Sequence, residues 1–341
     1  MWIEITAGFL GISLILYCLL AGADFGGGIL EFFQGKHRRK DQQELIAHAI
    51  SPVWEANHIW LILAIVILFN GFPKAFTQIS ISLHIPLTLM LVGIILRGCA
   101  FTFSHYDAVK DQSQTVYSWI FKISSALTPL FLGIIVGAAI LGRSGTSEPG
   151  YIAQYVSPWL NFFSASLGLF LCSLFTFLAA VYLVGETNDR QLQRIFKRKA
   201  IFANFAAILT GALVFVSAEM DGYSLLHQFL NDPGAWGLMA LATLAQIPLW
   251  IHLENPKRSS GFILRILGGF QVTCILLGWF KIQFPTLVAL AHPHPSITLY
   301  NGAAPASTLR YLVYALVGGS ALIFPSLFFL LSVFKKLRTP L

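Results

Sequence analysis

Nine apolar runs, each long enough to cross a bilayer, restrict this chain to very few folds. They fall at roughly 5–30, 52–70, 77–104, 117–141, 159–184, 200–220, 234–252, 261–282 and 309–334. A spanning helix needs about 20 mostly apolar residues. The runs are continuous rather than alternating, and an open sheet leaves backbone groups unsatisfied in lipid. The expectation is an all-α, polytopic integral membrane protein, residues 1–341 forming one membrane domain of nine transmembrane helices packed as helix bundles. Composition agrees, because 11% of the 341 residues are charged, against about a quarter in soluble domains.

The net charge of +7 would suit a nucleic-acid partner if the basic residues were spread over one surface, but they alternate between loops. "KHRRK" (36–40), Lys110, Arg190, Arg194, Lys197, Arg198, Lys199, Lys257, Arg258, Lys335, Lys336 and Arg338 make 15 on one side, against Lys74 and Arg143 on the other. Cytoplasmic loops favour Lys and Arg, so the N-terminus is expected outside and the C-terminus in the cytoplasm. No nucleic-acid partner is expected. "MWIEITAGFL" lacks a basic n-region and a small-residue cleavage site and reads as the start of the first span, not a removable signal. Cys18, Cys99, Cys172 and Cys274 each stand alone in apolar sequence, which argues against a disulfide framework or a cysteine metal site. Residues 38–50 are polar with Leu45, Ile46, Ala49 and Ile50 at helical spacing, as in a helix lying along the inner interface. Residues 283–308 read as an ordered outer cap.

Ionisable residues inside spans are functional candidates. Glu55, in "SPVWEANHIW", lies one turn into the second run, beyond the capping-box position, with Ser51 and Pro52 suited to cap that helix. It fits either proton uptake from the inner side or a structural hydrogen bond. His58, three residues on, could share that proton, ligate a metal or pack. Asp24, in "LLAGADFGGGIL", sits near the inner end of the first run among glycines that permit close helix approach. Arg97 falls at the same depth, as a counter-ion to Asp24 and Glu55 or as a snorkelling anchor. His84 and His252 read as hydrogen-bonded structural residues; Glu219, Asp221 and Lys281 as polar packing near the outer face; His292 and His294 as loop. No metal site is expected.

These stretches together resemble subunit II of the cytochrome bd-type quinol oxidases, including the cyanide-insensitive branch. That family carries D-G-F-D-x-G-x-G in its first helix and P-x-W-D-G-N-Q-V-W at the start of its second. Asp24 matches the second Asp, Trp54 and Trp60 the tryptophans, Asn57 the Asn, and Glu55 stands for an Asp. Ala21, Ala23, Ala56 and His58 depart from the pattern; the loss of the first Asp weakens any role built on a carboxylate pair. The resemblance implies a subunit of a quinol:dioxygen oxidoreductase in the bacterial cytoplasmic membrane. A haem-bearing subunit I would hold haem b and haem d, or all haem b, and small accessory subunits could join. No catalytic residue and no directly bound cofactor are expected in this chain. Its contribution would be scaffold, a proton pathway through Glu55, His58 and Asp24, and motif residues Trp54, Asn57, Trp60 and Arg97. A secondary transporter and a purely structural assembly subunit are the alternatives; the transporter would place its ionisable groups nearer the midplane.

Overall fold

The computed structural model describes residues 1–35, 38–50, 54–106, 113–146, 148–254 and 261–336. In chain order these form α1 (Trp2–Leu30), α2 (Arg39–Ile50), α3 (Trp54–Gly71), α4 (Pro73–Ser82), α5 (His84–Tyr106), α6 (Ser113–Leu141) and α7 (Tyr151–Tyr155). There follow α8 (Phe162–Val184), α9 (Arg190–Met220), α10 (Leu225–Asn231), α11 (Pro233–Leu244), α12 (Gln246–Glu254) and α13 (Gly261–Gln283). A short hairpin, β1 (Thr286–Val288) with β2 (Ile297–Thr298), precedes α14 (Ala306–Lys336). Among the described residues nine segments are long and apolar enough to span: α1, α3, α5, α6, α8, α9, the α11–α12 pair, α13 and α14. The chain is an all-α, multi-pass membrane protein.

Three boundaries differ from expectation. The third run does not begin at 77, because the chain breaks at Leu83 and the span starts at His84. Pro86 has no N–H to give the Ser82 carbonyl, so the helix cannot run through. The seventh run breaks at Ala245 for the same reason, Pro248 leaving the Leu244 carbonyl without its partner. The sixth run begins ten residues early. Asp189 caps α9 by accepting from the N–H groups of Gln191 (2.7 Å) and Leu192 (3.3 Å), so the basic stretch 190–199 is helix rather than loop. The capping pair Ser51–Pro52 and the basic residues Lys36, Lys110, Lys257, Arg258 and Arg338 lie outside the described residues.

The centre of the bundle is α1, α6 and α8 in mutual contact, with α3, α5, α9, α13 and α14 around them. The glycines of α1 permit this. A Cβ on Gly26 would fall 2.0 Å from the Phe175 carbonyl oxygen of α8, and one on Gly28 2.1 Å from Ser125 Oγ of α6, so only glycine allows the backbones this near. The amphipathic α2 buries Leu45, Ile46 and Ile50 against Phe177, Leu183 and Phe196, as its spacing predicts. Arg38 binds Asp189 (2.5 Å), and Lys199 Nζ donates to Gln42 Oε1 (2.8 Å), so α2 and α9 are tied at one end of the bundle. At the other end β1–β2 covers the helix ends: Val288 and Leu299 pack on Phe72 and Ala75, and Lys74 Nζ donates to the Asn301 carbonyl at 2.9 Å.

Candidate functional site

α1 brings Tyr17, Ala21, Asp24, Phe25 and Gly28 to one buried face, a row at helical spacing. α3 turns Asn57 toward it, and Asn57 Nδ2 donates to Asp24 Oδ2 at 2.6 Å. From α5 comes Arg97, 2% exposed and therefore no snorkelling anchor. Its guanidinium lies over the Phe25 ring at 4.8 Å and the Phe121 ring at 5.3 Å, a favourable place for a desolvated cation. Arg97 Nε donates to Ser125 Oγ at 3.2 Å, and its charge acts on Asp24 without direct contact. His58 completes the group, its ring 5.6 Å from Phe25, 6.1 Å from Tyr17 and 6.4 Å from Trp54. The Tyr17 hydroxyl, His58 Nδ1 and one terminal nitrogen of Arg97 are buried with no hydrogen-bond partner among the described residues. Buried polar atoms are seldom left so.

The structure brings Asp24, Asn57, His58 and Arg97 together but turns Glu55 away. Glu55 is exposed and heads the stripe Ile59, Ile62, Val66 and Phe69, which is also exposed. Trp60 is buried beside Tyr17 and Phe25, its ring tilted against Phe324 of α14 at 5.8 Å. Trp54 packs half-buried on Phe101 (5.9 Å). His84 bonds the Ile81 carbonyl at the end of α4 (2.9 Å), across the break, and His252 the Pro248 carbonyl of its own helix (2.8 Å). Asp221 pairs with Arg143 (2.8 Å), Lys281 approaches Asp232 (3.8 Å), and Glu219 accepts from the Leu226 N–H. All are structural contacts.

Besides Phe25, the neighbour of Asp24, four members of the site escaped the sequence reading. Tyr17 stands seven residues before Asp24, a same-face spacing that could have flagged it. Phe121 and Ser125 meet Arg97 only through α5–α6 packing, which leaves no local signal. The fourth is Glu31, seven residues beyond Asp24 on the same side of α1, roughly 10 Å along the axis. It lies just past the span; burial pushes its carboxyl above the usual range, opposed by Lys122, a Gln43 hydrogen bond, Arg39 and Lys199.

The sequence model of a known family, cytochrome bd terminal oxidase subunit II, matches residues 2–334. The chain belongs to that family. Relatives in this subunit II family include the Escherichia coli K12 protein named cytochrome bd-I ubiquinol oxidase subunit 2, 22% identical over 90% of this chain and 87% of its own length. Another, from Bacillus subtilis 168, is named cytochrome bd ubiquinol oxidase subunit 2 and is 26% identical over 88% of this chain and 86% of its own. A solved bd oxidase from Geobacillus thermodenitrificans shares the fold, with a TM-score of 0.76, 21% identity and 99% of both chains covered. A subunit II of this family is part of an oxidoreductase complex with a subunit I, in the inner membrane.

Proposed function

We propose that this chain, as one membrane domain with its N-terminus outside, serves quinol oxidation and the four-electron reduction of dioxygen to water by supplying protons to a haem-bearing subunit I. Haem b and haem d, or haem b alone, belong to that partner in this reading, and quinol is the substrate; small accessory subunits are compatible with it. The observation that carries the reading is the polar cluster buried within an apolar bundle. Asp24 and Arg97 sit together there with Asn57 and three unpartnered polar atoms, an arrangement that scaffolding does not require.

Asp24 holds or passes the proton, Asn57 fixes one of its oxygens, and Arg97 places a positive charge in the same buried cluster. Tyr17 and His58 add two polar groups against Phe25, the neighbour of Asp24. Glu55 has a separate place: a carboxylate on an apolar face is costly against lipid, so that face suits the partner subunit, with Glu55 handing protons across the contact.

The test is a tagged pull-down of this chain from native membranes, with a reduced-minus-oxidised visible spectrum of the eluate. A co-purifying partner with haem bands and quinol-driven dioxygen uptake is the expected result. The Glu55→Gln complex should assemble and lose most of that uptake. Full assembly with parental dioxygen consumption would remove Glu55 from the route, and a haem-free single chain would overturn the oxidase role.

A further inference from the structure

The last charged residue of α6 is Lys122, and the stretch that follows it to the helix end, 123–141, carries no charge. At 1.5 Å per residue that stretch covers roughly 29 Å, about the thickness of the hydrocarbon core. Lys122 therefore stands at the edge of the core, the depth at which headgroups begin. Yet it is only 3% exposed, and its Nζ lies 5.2 Å from the Trp119 ring. Its charge faces Glu31, just past α1, and Arg39 of α2. Glu31 is shared further with Lys199 of α9 and with the Gln43 side chain, so three cations surround one carboxylate. Lys199 Nζ also donates to the Leu30 carbonyl (3.3 Å) and to Gln42, both uncharged.

Hydrogen-bond donors gather beside this surplus of positive charge. Gln114, Ser118 and Lys122 recur every fourth residue of α6 and share one face. Gln114 Oε1 accepts from Ser104 at 3.1 Å, which leaves its Nε2 to donate. That Nε2, Ser118 Oγ and both polar atoms of the Gln34 side chain are buried with no hydrogen-bond partner among the described residues. α1 and α6 run antiparallel, with Gly28 against Ser125 and the Phe32 ring 6.2 Å from Trp119, so Gln34 falls about level with Ser118. Unpaired buried polar groups in such number are costly unless something uses them. Donors around uncompensated positive charge select an anionic acceptor. Arg39 and Trp119 are exposed and give the site an open side.

We infer that Gln114, Ser118 and Lys122 form the floor of a phosphate-binding site at the end of the bundle where α2 meets α9, with Arg39 at its mouth. Phosphate oxygens accept several charge-assisted hydrogen bonds at once, which suits an ammonium, a hydroxyl and a carboxamide on one helix face. The phosphate charge offsets the positive charge that Glu31 alone leaves uncompensated. Two sources share this chemistry, the headgroup of an anionic phospholipid and free phosphate in solution. The site does not rest on the proton-supply reading.

The purified complex of this chain with its partner, delipidated in detergent, is titrated separately with inorganic phosphate and with dioleoylphosphatidylglycerol while thermal unfolding is followed. Sodium chloride holds the ionic strength constant, so that general screening cannot mimic binding. At least one probe should raise the unfolding temperature by about 2–4 °C near saturation. Lys122→Met, which keeps the length of the side chain and removes its charge, should abolish that rise. Ser118→Ala should move the titration midpoint several-fold higher, and it carries the test if the Met variant fails to assemble. A rise with inorganic phosphate identifies the soluble source, and a rise with dioleoylphosphatidylglycerol alone the lipid source. No rise with either probe, or equal rises in the parent and in every variant that assembles, overturns the site.

Discussion

Asp24 and Arg97 depend on each other. Removing one member of a buried charge pair leaves the other uncompensated, at about 3–5 kcal/mol, whereas replacing both with shape-matched neutral groups is close to neutral for stability. Asp24→Asn and Arg97→Met should therefore each lower the yield and unfolding temperature of the complex. The double variant should recover assembly, because a Met thioether also sits well between the Phe25 and Phe121 rings. It should not recover dioxygen consumption if Asp24 carries protons; a double variant respiring at the parental rate would make the pair structural. The charged members of this cluster were readable in the sequence because each interrupts an apolar run. Which way they faced was not. Asn57, Trp60, Ala64 and Ile67 form the buried row of α3, and Glu55, Ile59, Ile62, Val66 and Phe69 the exposed one. In a membrane both rows are apolar, so the hydrophobic contrast that orients a soluble helix is missing, and Glu55 looked as inward as Asn57.

The helices themselves were legible from length and hydropathy, because lipid forces every spanning backbone to satisfy itself. Their interruptions required attention to Pro86 and Pro248, each of which opens the helix three residues upstream, at Leu83 and Ala245. Pro129 and Pro325 lie within α6 and α14 and break neither, so proline alone does not announce a break. The contact of α1 with α8 gives a sharper test. Gly26→Ala would put a methyl on the Phe175 carbonyl and separate the two helices, costing about 1–3 kcal/mol or more, read as a lower unfolding temperature of the complex. Gly8→Ala, with open space around its Cβ position, should be neutral. At the end of the bundle where α2 meets α9, the hydrogen bond from Arg38 is the main cause of the lowered pKa of Asp189. A carboxylate with a depressed folded pKa contributes stability above its unfolded value, near 3.8, and loses it as pH falls through the folded one. Asp189→Asn keeps a capping side chain and removes the charge. The stability gap between parent and variant should be open at neutral pH and close progressively below about pH 3.8; a gap unchanged down to pH 2 would assign the loss to capping.

The charged cluster lies among α1, α3, α5 and α6. The α3 and α14 surface beside the charged cluster is unlike the rest, because it joins large exposed side chains (Ile62 60%, Phe69 58%, Leu322 73%) to the exposed carboxylate of Glu55. The α9 surface is equally apolar, with Phe205 at 65% and Leu209 at 63%, and its exposed span carries no acid until Glu219 at its C-terminal end. Fluid acyl chains accommodate an added ring, whereas a packed protein contact resists added volume. If the partner subunit covers α3 and α14, Ile62→Trp and Val66→Trp should cut its recovery in a pull-down several-fold. Phe205→Trp and Leu209→Trp, on the surface left to lipid, should leave recovery unchanged. Equal tolerance on both faces would put α3 and α14 in lipid and leave Glu55 without a partner to receive its proton. Selective loss on α3 would place the partner subunit against Glu55, with the buried cluster on the other face of the same helix.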